Sequence, residues 1–114
     1  MTAFTEHPPV PKVLQEALKD YPALIAELQD GLKTVGRAPG MSKAQRGDQL
    51  ERAFGLVEGD MDAFIERASD EVSAANASGD VQQAAAARRK LALLQLHRRD
   101  GGEELMGFFG WGQD

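Results

Sequence analysis

The chain contains no cysteine, which excludes disulfide bonds, thiolate metal sites and thiol nucleophiles. No apolar stretch approaches the roughly 18 consecutive residues that a helix needs to cross a bilayer. The start of the chain, MTAFTEHPPVPK, lacks the basic residues and the apolar run of a secretory signal peptide. Together these absences favour a cytoplasmic protein that does not insert into a membrane.

Isoleucine, valine and aromatic residues are also sparse, whereas alanine, leucine, glutamine and glutamate are common. These propensities favour helix, and no stretch alternates in the manner of a β-strand. A length of 114 residues fits one domain with a modest core. We therefore predict an all-α protein, a small antiparallel bundle of three or four helices. It resembles small bacterial-style helical proteins only generically, which implies no specific activity.

Apolar residues recur at steps of three and four in three stretches, which predicts helices near residues 10–32, 48–76 and 80–99. Pro22 interrupts the first stretch because proline lacks a backbone N–H and crowds the preceding turn. The sequence therefore allows either one bent helix or two short ones, with Asp20 as the cap of a restarted helix.

Glycines and potential caps predict where the other helices begin and end. We expect residues 33–47, which contain three glycines and a proline, to form a long loop, either without regular structure or with one helical turn at residues 42–45, and Asp48 to cap the helix that follows. Gly59 is expected to bend or break that helix. Gly79 is suited to end it, and Asp80 to cap the last helix.

The last helix has an unusually broad apolar surface, which predicts neighbouring helices on two of its sides. One apolar face carries Ala84, Ala87, Leu91 and Leu94. The other carries Val81, Ala85, Ala92 and Leu96.

Charge is segregated along a chain whose net charge is −5. Residues 48–71 hold eight acidic and two basic side chains, whereas residues 80–100 hold two acidic and five basic ones. Because a short turn joins these stretches, we expect an acidic helix to lie antiparallel to a basic one. Phosphate binding by the basic helix is the alternative function, through Arg88, Arg89, Lys90, Arg98 and Arg99. The net charge and the lack of interleaved aromatic residues argue against nucleic acid.

The side chains that usually carry chemistry are few and are not clustered. His7 and His97 have no partner at the spacing of a metal-binding motif. The acidic residues between 58 and 71 do not match a calcium-binding loop, because Phe64 and Ile65 fall where such a loop needs an oxygen ligand and a glycine. We therefore predict no catalytic residue, no metal and no cofactor, and a protein that is not an enzyme.

The chain divides into a flexible leader (1–9), a helical domain (10–100) and a C-terminal segment (101–114). Three of the seven aromatic residues lie in that last segment. Its apolar side chains are Leu105, Met106, Phe108, Phe109 and Trp111. Their spacing is typical of a helical turn that docks into a groove, either of another protein or of a second copy. The competing interpretation is that the segment folds back and completes the protein's own core. We predict an adaptor or regulatory protein that binds protein through this segment.

Overall fold

The computed structural model describes residues 4–110. In this range the chain forms five helices: α1 (Lys12–Ala17), α2 (Pro22–Leu32), α3 (Lys43–Ser78), α4 (Val81–Leu96) and α5 (Gly102–Phe108). Across the same residues there is no β-strand, only an isolated bridge between Glu6 and Arg37. The predicted all-α class is confirmed.

The first apolar stretch forms two helices and not one bent helix. α2 begins at Pro22, in the first turn, where the missing N–H of proline costs nothing because that group has no partner in any helix. The residue before the helix is Tyr21, and it makes no side-chain capping bond. The predicted capping role of Asp20 is therefore wrong.

α3 begins earlier than predicted and is continuous through Gly59. Its start is a capping box: the Ser42 hydroxyl accepts from the Gln45 backbone N–H at 3.1 Å, and the Gln45 side chain accepts from the Ser42 N–H at 2.8 Å. Asp48 lies inside the helix, so its predicted capping role is wrong. The expected break at Gly59 is also wrong, because packing along the other side of α3 outweighs the weak helix propensity of one exposed glycine.

α3 and α4 form an antiparallel hairpin whose turn was predicted correctly. Gly79 ends α3 with a φ of 76°, and the Asp80 carboxylate caps α4 by accepting from the Gln83 N–H at 2.9 Å. Ion pairs cross the hairpin from Lys90 to Glu71 and from Arg98 to Asp62. The expected pairing of an acidic with a basic helix is thus confirmed.

The hydrophobic core lies beside the first two thirds of α3. Its largest fully buried side chains include Phe64, Phe109, Leu14, Leu28 and Leu94. On α3 the core cluster ends at Ala68. The described chain is elongated, measuring 57 × 28 × 19 Å, because α3 and α4 continue past this core as a two-helix hairpin.

The outer face of α4 is uncovered, contrary to the expectation of neighbours on two sides. Val81 is 79% exposed and Leu96 is 74% exposed. Only the face with Ala84, Ala87 and Leu94 is buried, against α3. No other described helix covers the outer face, because the chain reverses at Gly101 and α5 packs against α3.

The leader, which was predicted to be flexible, is extended over residues 4–9 and lies against the loop before α3. The Glu6 N–H donates to the Arg37 carbonyl at 3.3 Å, and the Arg37 N–H donates back to the Glu6 carbonyl at 3.0 Å. Gly36 permits this approach, since a β-carbon there would lie 2.3 Å from the Glu6 carbonyl oxygen. Val10, directly after the leader, is buried in the core and so attaches the end of the leader to it.

Candidate functional site

The predicted contact residues of the C-terminal segment are divided between the core and the surface. Leu105 and Phe109 are 2% and 1% exposed and belong to the core cluster. Phe108 is half-buried, with its ring edge-on to that of Phe109 at a centroid distance of 4.9 Å. Met106 is 36% exposed, and Trp111 lies outside the described residues. Leu105 and Phe109 are therefore not accessible to a partner while α5 is packed on the core.

A carboxylate of α5 joins this helix to the start of α1. The N-terminal flank of α1 is Pro11, which has no side chain able to cap the helix. Glu104 takes that role from 92 residues away, accepting from the Lys12 N–H at 2.9 Å and from the Val13 N–H at 3.2 Å. A carboxylate at a helix N-terminus satisfies free N–H groups and interacts favourably with the helix dipole.

Arg37 joins the leader to α5 through a single side chain. Its guanidinium lies 4.2 Å from the centroid of the Phe108 ring and donates to the Phe108 carbonyl. The same group donates to the Glu6 carboxylate at 2.6 Å. Sequence reasoning missed Arg37 because these partners are 71 and 31 residues distant along the chain, and no local pattern marks them.

The basic side chains proposed as phosphate ligands do not converge. Lys90 and Arg98 form the ion pairs with α3, and Arg88 donates to the Asn76 side chain at 2.9 Å. Arg89 and Arg99 are exposed. Three of the five cations are therefore directed toward α3, whereas Arg89 lies on the surface of α4 and Arg99 on the turn that follows α4.

A concave surface lies between α3 and α4, beyond the core. We call it the hairpin groove: it encloses about 630 Å³ and its floor consists of Ala74, Ala75, Ala86 and Ala87. Tyr21 closes the end nearest the core, together with Glu71 and Lys90. The Lys90 ammonium lies 5.3 Å from the centroid of the Tyr21 ring and 3.4 Å from the Glu71 carboxylate. The other end opens toward the turn at Gly79, past Ser78 and Gln83.

Residues 72–87, which we call the hairpin end, supply six of the nine residues that line this groove and are almost free of charge. Their one ionisable side chain is Asp80, in a chain of which 27% is charged. Ala75, Ala84 and Ala87 are the buried residues here, and none belongs to the core cluster. Covering such a surface requires little desolvation of charged groups.

Two carboxylates with shifted pKa values lie away from the groove, where α2 crosses α3. Arg67 donates to Glu27 through two hydrogen bonds, of 3.2 and 2.6 Å, which lower the pKa of Glu27. Burial raises the pKa of Asp60, and the negative charge of Glu27 adds to that effect. Gly31 packs against Asp60, since a β-carbon there would lie 3.3 Å from its carboxylate. The ion pair of Glu27 with Arg67 thus joins α2 to α3, and Asp60 lies beside it.

Comparisons with known proteins supply no assignment, since no protein-family model, curated protein or solved structure matches this chain. Between residues 4 and 110, no three histidine or carboxylate side chains are grouped as they would be to hold a metal ion. None of the helices in that range has both the length and the apolar character to cross a lipid bilayer. Function therefore has to be inferred from the residues and their placement.

Proposed function

We propose that this chain is a non-enzymatic helical module that binds protein, and that the hairpin groove is its contact surface. The observation that supports this proposal is that, beside α3 and α4, the place of a third helix is occupied only next to the core. Next to the core, α2 packs along α3 and is tied to it by Glu27 and Arg67. Beyond Tyr21, α2 is absent and the groove takes its place.

The lining of the groove fits a helix better than it fits a small polar ligand. Alanine side chains on the floor let another helix approach closely, because the distance between packed helices depends on the side chains at their contact. A partner helix that presents larger apolar side chains would complement such a floor, as in other helix-in-groove complexes. The groove's charged groups, Glu71 and Lys90, lie together at one end, where they can orient a partner.

In this proposal the C-terminal segment stabilises the fold and is not the contact surface. Burial of Leu105 and Phe109 supports the interpretation that the segment completes the protein's own core. Docking of the segment into another protein stays a prediction, and it requires α5 to separate from Arg37 and from the start of α1. Deletion of residues 103–114 distinguishes the two, because only the docking interpretation expects lost binding with an unchanged melting temperature.

Capture of partners from cells tests the proposal. The immobilised full chain is compared with Ala74→Glu and Ala86→Glu, which place a charge in the groove at exposed positions, and with Ala92→Glu on the outer face of α4. We expect both groove variants to lose the captured protein and the control to retain it. If the groove variants retain the captured protein and the chain without residues 103–114 loses it, the contact surface is the C-terminal segment and not the groove.

A further inference from the structure

The dimensions of the hairpin groove match those of the hairpin end itself. From Tyr21 to the turn at Gly79 the groove follows residues 71–79 of α3, a length of about 12 Å at 1.5 Å per residue. An occupant must therefore supply about two helical turns and stop at the Tyr21 side chain. Each arm of the hairpin end, residues 72–79 and 80–87, also has two turns, and a tight turn joins the arms at Gly79.

Charge at the two ends of the groove favours an antiparallel arrangement of identical hairpins. The closed end carries the Lys90 ammonium, 3.4 Å from the Glu71 carboxylate, and these are the two charged side chains that line the groove. The open end carries Asp80 as the one charged residue of the hairpin end. When two hairpins lie antiparallel, the Asp80 carboxylate of each copy approaches the Lys90 ammonium of the other. A two-fold axis makes this attraction occur twice.

We infer that the hairpin groove is filled by the hairpin end of a second copy of this chain, in an antiparallel two-fold dimer. This inference rests on the proposed function and names the partner. In this dimer the two hairpins pack as a short four-helix bundle. Ala74 and Ala86, which are exposed in the single chain, become buried in it. The contact is short compared with standard protein interfaces, so we expect dissociation in the micromolar range.

Sedimentation equilibrium of the full chain over a range of concentrations tests the association. We expect a reversible monomer and dimer, a monomer for Ala86→Glu, and unchanged dimerisation for Ala92→Glu, which lies on the outer face of the same helix. Circular dichroism checks that each variant keeps its helical content. Loss of the dimer in Ala92→Glu with retention in Ala86→Glu would place the interface on the outer face of α4 and overturn the inference.

Cysteines introduced one at a time test the antiparallel arrangement of the two copies, because the natural chain has no cysteine. The midpoint of the groove falls at Ala74 and Ala86, so two copies related by a two-fold axis bring equivalent residues there close together. We expect Ala86→Cys to form a disulfide-linked dimer under mild oxidation, and Ala92→Cys to stay monomeric. Linkage of Ala92→Cys alone would contradict the arrangement.

The two proposals fail in distinguishable ways. If the natural chain is monomeric at every concentration but Ala86→Glu still abolishes capture of a cellular protein, the second copy is wrong and the groove remains a binding surface. If the chain is monomeric and Ala86→Glu changes no binding, both proposals are wrong. If Ala86→Glu abolishes the dimer and Ala86→Cys forms a disulfide-linked dimer, both proposals are supported.

Discussion

Replacement of Phe109 by alanine should strongly destabilise the protein, although this residue lies near the end of the chain. Its side chain is 1% exposed and packs edge-on against Phe108 at 4.9 Å. Truncating a buried phenylalanine to alanine typically lowers the free energy of unfolding by about 3–5 kcal/mol, through lost burial and the cavity left behind. At about 4 °C per kcal/mol for a domain of this size, the melting temperature should fall by about 12 °C or more.

Urea unfolding followed by circular dichroism measures this effect, with Met106→Ala as the control on the same helix. Met106 is 36% exposed, so its truncation should change the free energy of unfolding by less than about 1 kcal/mol. Equal, small effects of the two substitutions would refute the placement of α5 in the core. They would favour instead a C-terminal segment that is free to dock on another protein.

Three further outcomes are expected. Glu104→Ala should lower the free energy of unfolding by about 0.5–2 kcal/mol by removing the cap of α1, and Glu103→Ala, in the same turn, should have little effect in the same urea titration. Because burial raises the pKa of Asp60 in the folded state, its ionisation opposes folding, so Asp60→Asn should raise the free energy of unfolding at pH 7. That gain should vanish as the pH falls below about 3.9, the ordinary pKa of aspartate, and a loss at pH 7 would contradict the assignment. Fluorescence anisotropy should detect no micromolar binding to DNA or RNA near physiological salt, whereas salt-sensitive binding lost on replacing residues 88–90 by alanine would reverse this expectation.

Much of the helical pattern could be predicted because its signals are local. Apolar spacing of three and four residues marks the buried side of α3, and Gly79 with Asp80 marks the turn of the hairpin. The opposite charges of the two helices predicted their pairing, which the ion pair between Lys90 and Glu71 confirms. Each of these features involves residues that are adjacent in sequence or joined by one short turn.

The remaining features depend on contacts that the sequence does not mark. The capping box at Ser42 is local, but the glycines of the preceding loop obscured it, and Asp48 was a plausible cap by residue type alone. The inward packing of Phe109 and the bridging role of Arg37 depend on segments about 70 residues apart. The hairpin groove arises because α2 begins at Pro22, next to Tyr21, and leaves the hairpin end uncovered, which periodicity within one helix cannot reveal.

Amide hydrogen exchange tests most directly whether a second copy covers the hairpin end. In dilute protein the amides of residues 72–87 should exchange faster than those of residues 50–68, because the core cluster does not include the hairpin end. In concentrated protein, where dimers predominate, their exchange should slow by about tenfold or more, as expected when binding stabilises the closed helices. Exchange of residues 72–87 that is the same at both concentrations, while the rest of the chain behaves as a folded protein, would contradict the account.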